Sequence, residues 1–390
     1  MKLRHILSIL LIVVVTFLSA RMITAPTDFE LVQTIGFPEF PDLAQNIPNN
    51  LSEKVAVVVD GQIAYKNTDD IQPTASTAKM ILALMVIERQ PFLLGETGGM
   101  IEINEEFYNL YSYYIKNGGS YTRVEIGEKI SEYDGLASVL LPSSNNMADT
   151  LAIWAFGSLD EYRRYAQNRL EEWGIMNTTV GEDASGFLET TTSSASDLAL
   201  IAQRLMDNPV LAEIVGQKSR EVPVAGEIKN TNKLLGELGI VGVKTGFIGS
   251  PSGYCLISAY KVDNHIITVA VLGALTRERS FEVTSDVTKS LQAVLEDTEI
   301  FKQGQEVGYY ESWWAGRTPI VAEDDVSVLA WSSANVVANI NMPKSQDSSE
   351  TVGTLDIMVD DNKNSFPIFA RDFRAEPSVL DRLLYALFLK

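Results

Sequence analysis

Strand-like runs stand on both sides of a helical middle in this 390-residue chain, and that order restricts the fold more than any other feature. "EKVAVVVDGQIAYKN" (53–67) reads as a hairpin: an apolar strand, an Asp60-Gly61 turn and a second strand. "IVGVKTGFIG" (240–249) reads as one more strand. "GYCLISAYKV" and "HIITVAVLGA" flank Asp263-Asn264 and read as an antiparallel pair. Between these lie helical patterns. Met80 to Ile87 is an unbroken apolar run, and "YDGLASVLL" (133–141) stops at Pro142. "LDEYRRYAQNRLEEWGI" (159–175) and "SASDLALIAQRLMDNP" (194–209) are amphipathic. "SFEVTSDVTKSLQAVLEDT" (280–298) is a helix after the strands. The expectation is an α+β domain over 51–299 whose antiparallel sheet gathers both ends of the segment and is flanked by a helical cluster.

The flanking segments differ in texture. Residues 26–50 carry Pro26, Pro38, Pro41 and Pro48 and read as an extended linker. Residues 300–375 hold short β-rich runs separated by turn residues, which suggests a small all-β domain. A C-terminal helix (376–390) opens on a capping box, Ser378 with Asp381. Its apolar face comprises Val379, Leu380, Leu383, Leu384, Leu387 and Phe388. That face has two destinations, packing on the β domain or lying in a membrane interface.

Residues 1–25 read as an export signal or an uncleaved membrane anchor. Lys2, Arg4 and His5 precede the apolar stretch "ILSILLIVVVTFL" (6–18), a charged region followed by a hydrophobic one of signal-peptide length. "LSA" ending at Ala20 and "ITA" ending at Ala25 are imperfect cleavage sites. The stretch is short against the ~20 residues of a full span. The chain is therefore expected outside the cytoplasm, secreted or held at the membrane.

Composition narrows the chemistry. With Lys+Arg 31 against Asp+Glu 51 the net charge is −20, which repels nucleic acid. The single cysteine, Cys255, lies in an apolar strand and reads as a small buried hydrophobe. The histidines are His5 and His265 alone, too few for a protease-type zinc site, and a Ser-His-Asp hydrolase would rest on His265. A hydrolase built on this chain is expected to use a base other than histidine.

"PTASTAKMI" (73–81) offers one. Ser76 and Lys79 share a helix face at i and i+3, just before the apolar run. A serine hydroxyl needs a base to take its proton. A lysine serves only when neutral, and burial with a second positive charge lowers its pKa toward that state. Lys244 in "VKTGF" can supply the charge. The bland alternatives are a helix-capping serine and a lysine exposed at a strand end. Each motif alone is a weak signal. Ser-x-Asn occurs at Ser143/Asn145, at Ser144/Asn146 and at Ser333/Asn335.

Taken together, Ser-x-x-Lys opening a helix, Ser-x-Asn between helices and Lys-Thr-Gly on a strand, in that order, resemble the penicillin-recognising serine enzymes. Over roughly 45–299 the chain resembles the D-alanyl-D-alanine carboxypeptidases, the low-molecular-mass penicillin-binding proteins. "PTASTAKMI" is similar to the family's helix start, with Ala78 where threonine is usual. "LASVLLPSSNNMAD" is similar to its Leu-Leu-x-x-Ser-x-Asn segment, with Met147 in place of an acid. "KNTNKLLGELGIVGVKTGFIGSPSGYCLISA" is the longest match. Setting the family's two leucines on Leu140 and Leu141 selects Ser144 and Asn146 from the overlapping pairs.

The resemblance implies a β-lactamase/transpeptidase-like fold and the following roles. Ser76 is the nucleophile, Lys79 its base, and Ser144 a proton relay to the leaving amine. Asn146 holds the substrate amide. Lys244 and Thr245 bind the terminal carboxylate, and Gly246 admits the substrate chain beside the strand. The backbone N–H groups of Ser76 and Phe247 form the oxyanion hole. No cofactor is implied. The implied partners are peptidoglycan stem peptides ending in D-Ala-D-Ala, β-lactams, and the cytoplasmic membrane through the N-terminal segment and the C-terminal helix. A related endopeptidase or transpeptidase shares these motifs, and a non-catalytic wall-binding protein is the reading of another class. A class A-like β-lactamase is a rival on the same fold, but the Glu-x-x-x-Asn its chemistry uses does not occur between 160 and 193 of this chain.

Overall fold

The structure is a computed structural model, and it describes residues 2–262, 264–342, 348–374 and 376–388. Asp263 of the expected turn and the last two residues of the C-terminal segment lie outside the described residues. The chain divides into two compact units, Pro41–Glu296 and Met1–Phe40 with Asp297–Lys390.

In the larger unit the expected hairpin forms as β1 (Lys54–Val59) and β2 (Gln62–Lys66). Asp60, in the left-handed region at φ 45, and Gly61 turn it. The helical middle supplies α1 (Lys79–Arg89), α2 (Glu105–Lys116), α3 (Glu132–Leu140), α4 (Asn145–Phe156) and α5 (Ala195–Asp207), among others. Then come β3 (Ile240–Phe247), β4 (Tyr254–Val262), β5 (His265–Ala274) and α6 (Arg277–Gln292). The five strands form one antiparallel sheet in the order β3-β4-β5-β1-β2. The junction β5–β1, register Val269↔Val57, joins the two ends of the segment across the intervening helices. Helix α5 packs on β5 and β1, and α6 on β5 and β4.

Helix α1 is the core of the helical cluster. Met80 through Ile87 are all buried, Met80, Ile81, Leu82 and Met85 completely. Each such side chain contributes roughly 1.5–3 kcal/mol through burial. Leu82→Ala would cost ~2–5 kcal/mol through the cavity it leaves. The helix does not begin at Ser76. Residues Ala75–Ala78 form a 3₁₀ turn and the α-helix opens at Lys79 without a side-chain cap. The capping role expected of Ser76 is absent, because its hydroxyl is engaged by Lys79 instead.

In the smaller unit the β-rich texture resolves into a six-stranded sheet and a two-stranded one. The lead-in read as a linker is partly structural. Glu30–Gln33 is an edge strand paired antiparallel on Glu306–Ser312. Phe29 anchors it, with its ring edge-on to Tyr310 and Phe373 at 5.1 and 5.3 Å. Further along, Leu43–Asn46 is a short helix of the larger unit, capped by Asp42, with Leu43 and Ile47 buried.

The N-terminal apolar segment is longer than its 13-residue sequence core. It forms one helix, Lys2–Ile23, and Ile6–Ile23 is long and apolar enough to cross a membrane. The C-terminal helix spans Val379–Phe388 with the expected capping box, Ser378 N–H donating to Asp381 Oδ2 at 2.9 Å. It packs through Ala386 and Tyr385, whose ring meets Trp313 at 5.0 Å. Val379, Leu380, Leu384, Leu387 and Phe388 stay exposed.

Candidate active site

Residues that are far apart in sequence converge at the start of α1. Lys79 is fully buried, and its Nζ lies 2.9 Å from Ser76 Oγ. It also donates to Asn145 Oδ1 and to the carbonyl of Ser185, each at 2.7 Å. Burial pulls its pKa down from 10.5 to about 7, against the opposing pull of Asp183 and Asp149. A lysine in that range is half neutral near neutral pH, which a base for a serine hydroxyl requires.

The loop beneath this lysine is built on carboxylates. Asp183 accepts from the backbone N–H groups of Ser185 and Phe187 at 3.2 and 2.8 Å. Asp149 accepts from Tyr114 Oη at 2.6 Å and from Ala184 N–H at 3.0 Å. Together they fix the turn that presents the Ser185 carbonyl. Asp149 is itself pushed up to about 6, by burial first and by Asp183 next. Gly186 closes the turn at φ 69, and a Cβ there would stand 2.0 Å from the Ala75 carbonyl oxygen. Ala75 itself sits at φ 49, so the residue before the serine is held in a conformation that costs ~1–3 kcal/mol.

Strand β3 forms the opposite wall. Lys244 is buried, with its Nζ donating to the Thr245 carbonyl at 2.9 Å. Burial and then the charge of Lys79 hold its pKa well below the usual lysine value. Thr245 Oγ1 pairs with Thr231 Oγ1 at 2.6 Å. Gly246 faces the 3₁₀ turn, and a Cβ there would crowd Thr74 O and Thr77 N at 3.2 Å. Phe247 is half exposed and stacked on Tyr254 at 4.0 Å. A cleft of about 250 Å³ opens between the walls, lined by Ser76, Ser143, Thr231, Thr245, Phe247 and Arg277, among others.

The Ser-x-Asn expectation is corrected here. Ser144 and Asn146 do not face the cleft. Ser144 is the N-cap of α4, accepting from Met147 N–H at 3.4 Å and Thr122 N–H at 2.9 Å. It donates to Asn146 Oδ1 at 2.7 Å, and Asn146 Nδ2 donates to the Thr122 carbonyl at 3.0 Å. The overlapping pair occupies the site instead. Ser143, at φ 67, turns out of the end of α3 and lines the cleft, while Asn145 meets Lys79. The reason is helical geometry: successive residues point about 100° apart, so Asn145 and Asn146 cannot both face the lysine. A cap serine has its hydroxyl folded onto the helix end.

Sequence reading also passed over Thr231, Ser120 and Arg277. Thr231 stands in "KNTNK", with no motif to flag it, and Arg277 brings a cation to the cleft from the first turn of α6. His265 sits beside Asp60 at the β1–β2 turn and does not line the cleft. Cys255 is buried on β4, and burial pushes its thiol up to about 11.

The D-alanyl-D-alanine carboxypeptidase family model, peptidase S11, matches residues 43–276, more than half of the chain. The chain belongs to this family. Among curated relatives it is 27% identical over 241 residues to the D-alanyl-D-alanine carboxypeptidase DacF of Bacillus subtilis. That match covers 59% of this chain and 60% of the relative, so the chain spans less than two thirds of DacF. It is 23% identical over 237 residues to the D-alanyl-D-alanine endopeptidase of Escherichia coli, covering 58% of this chain and 73% of that one. Among solved structures it resembles PBP3 of Streptococcus pneumoniae, titled a peptidoglycan synthesis regulatory factor. The TM-score is 0.64 at 19% identity, over 82% of this chain and 98% of that one, a likeness of fold.

Proposed function

We propose that the chain is a serine-type D-Ala-D-Ala carboxypeptidase acting on peptidoglycan stem peptides and acylated by β-lactams. The observation that carries this reading is the buried Lys79 Nζ 2.9 Å from Ser76 Oγ, with a pKa near 7 and no histidine at the cleft. In this reading neutral Lys79 takes the Ser76 proton as Oγ attacks the carbonyl of the terminal D-Ala-D-Ala bond. The oxyanion is held by the backbone N–H groups of Ser76 and Phe247, where losing one donor costs ~10²–10³ in rate. Ser143 relays that proton from Lys79 to the departing amine of D-alanine, so that Lys79 is neutral again and Ser143 unchanged. Asn145 holds Lys79 and the substrate amide. Thr245, with Lys244 behind it and Arg277 across the cleft, binds the terminal carboxylate by charge-assisted hydrogen bonds. Water then attacks the Ser76 ester and releases the shortened peptide.

The N-terminal helix supports an extracytoplasmic site of action, with the chain secreted or tethered to the membrane. The relative from Escherichia coli named an endopeptidase supports a second reading, hydrolysis of the crosslink between two stem peptides. One experiment tests both. The protein is incubated with labelled penicillin and the adduct is mapped, then offered a stem pentapeptide and a crosslinked dimer. An adduct on Ser76, absent in Ser76→Ala, with D-alanine released from the pentapeptide, is expected. Cleavage of the dimer alone moves the assignment to endopeptidase. No adduct on the wild type refutes the serine mechanism.

A further inference from the structure

The segment "FYNLYSYYIKNGGSY" (107–121) is rich in tyrosine, and of these only Tyr114, which donates to Asp149, supports the active-site loop. Helix α2, capped by Asn104 onto Phe107 N–H at 2.9 Å, turns Phe107 and Tyr114 into the core. Tyr108 and Tyr111 form a strip with Tyr121 of the loop that follows. Tyr121 is 49% exposed and meets the ring of Tyr111 edge-on at 5.6 Å. Tyr111 meets Tyr108 at 5.7 Å. The strip begins at the cleft, because Ser120, the neighbour of Tyr121, lines it.

The loop that carries Tyr121 is held tightly. Asn145 N–H donates to the Ser120 carbonyl at 2.8 Å, and Thr122 is clamped through both backbone groups by Ser144 and Asn146. Gly119 has no room for a side chain, since a Cβ would stand 2.7 Å from Asn145 Nδ2 and from Tyr114 Cδ1. The pair Ser144 and Asn146 thus serves the strip rather than the nucleophile. Tyr108 and Tyr111 are partly buried against the core and Tyr121 rides on a loop fixed by buried hydrogen bonds, so the row is pre-organised, which lowers the entropy lost when a ligand settles on it.

We infer that Tyr121, Tyr111 and Tyr108 form a subsite for the sugar rings from which the substrate's stem peptide hangs. This rests on the peptidase reading above and adds to it where the far end of the substrate lies. A pyranose ring presents a face of C–H bonds with hydroxyls around its rim. A tyrosine offers the matching surface, an apolar face with a phenol at its edge. The strip runs on from the cleft in two ring-to-ring steps of 5.6 and 5.7 Å, and at ~3.3 Å per residue an extended five-residue stem has the length to pass from the cleft to the strip. A stem peptide held in the cleft by its D-Ala end can then set its sugar on the strip. Remote binding of this kind raises turnover at the reacting bond as well as affinity.

The test compares D-alanine release from a free stem pentapeptide and from the same peptide carrying its disaccharide. The readout is the ratio of the two kcat/KM values. The wild type is expected to favour the disaccharide substrate by roughly tenfold, and Tyr108→Ala and Tyr111→Ala to bring the ratio close to one. Tyr111→Phe, which keeps the ring, is expected to retain most of the preference and controls for folding. A wild type without preference, or variants that lose both activities in proportion, overturns the subsite and leaves the peptidase standing. If neither substrate releases D-alanine, disaccharide-pentapeptide is titrated by tyrosine fluorescence. Binding weakened in Tyr108→Ala then supports the strip while refuting the reaction, and equal binding overturns both.

Discussion

Asn145 and Asn146 are adjacent and chemically identical, so exchanging each in turn isolates position as the variable. Asn145→Ala deletes the oxygen that accepts from Lys79 Nζ at 2.7 Å. A hydrogen bond to a charged group contributes about 1.5–3 kcal/mol, equivalent to roughly 10- to 150-fold in the acylation rate. Asn146→Ala deletes both side-chain contacts to the Thr122 backbone, at 3.0 Å each. It leaves the Thr122 carbonyl without its Asn146 donor, while the Thr122 N–H keeps Ser144 Oγ, at a cost of about 1–3 kcal/mol in stability. For a unit of this size that lowers Tm by several degrees, at ~2–4 °C per kcal/mol. The assay follows acylation by labelled penicillin in stopped time points, with thermal melts of each variant. Asn145→Ala is expected to acylate at least tenfold more slowly, and Asn146→Ala to melt earlier with a smaller change in rate. Normal acylation by Asn145→Ala, with severe loss in an Asn146→Ala protein of unchanged Tm, would refute the assignment. It would return the motif to the overlapping pair.

Other outcomes follow from the same geometry. Acylation should rise as pH passes through about 7, because Lys79 must lose its proton to act and its pKa lies there. A midpoint above pH 9 would show that burial does not depress it, and Lys79→Arg, which cannot deprotonate, should be inactive. Gly119→Ala should slow acylation more than tenfold. Its Cβ would collide with Asn145 and Tyr114, and a wild-type rate would show the loop to be slack. Glu132 is buried at the start of α3 with Gly99 N–H donating to it at 3.1 Å, and burial pushes its pKa from 4.5 up to about 7. A raised carboxyl pKa means that the folded chain binds the proton more tightly, so stability falls as pH climbs from 4.5 to 7. Glu132→Gln should therefore stabilise the protein at pH 8 by about 2–3 kcal/mol and leave it little changed at pH 4, as denaturant melts at the two values will show.

The sheet was legible because its inner strands β1, β4 and β5 are short, nearly continuous apolar runs, buried on both faces, with an Asp-Gly turn joining β1 to β2. Its closure was legible because strands bracketed the helices. Lys79 was legible for the opposite reason, a charge at the mouth of an apolar run. The Ser-x-Asn pair misled because two matches overlap by one residue. Which serine caps a helix depends on where Pro142 ends α3, and no spacing rule records that. Thr231 and Arg277 were invisible because each reaches the cleft only through tertiary packing. The lead-in was misread because four prolines masked Phe29, whose ring anchors an edge strand.

The surroundings of Lys79 also decide the direction of its lone pair. A neutral amine has two N–H bonds and one lone pair. The Ser185 carbonyl and Asn145 Oδ1 are acceptors with no proton to give, and they take both N–H bonds. Ser76 is the remaining neighbour within hydrogen-bond reach, and it alone has a proton to offer. The lone pair must then point at the nucleophile. Once the proton has moved, the resulting ammonium has three N–H bonds and finds three oxygens waiting. No side chain has to rotate between the two states, so the proton crosses a site already arranged for both.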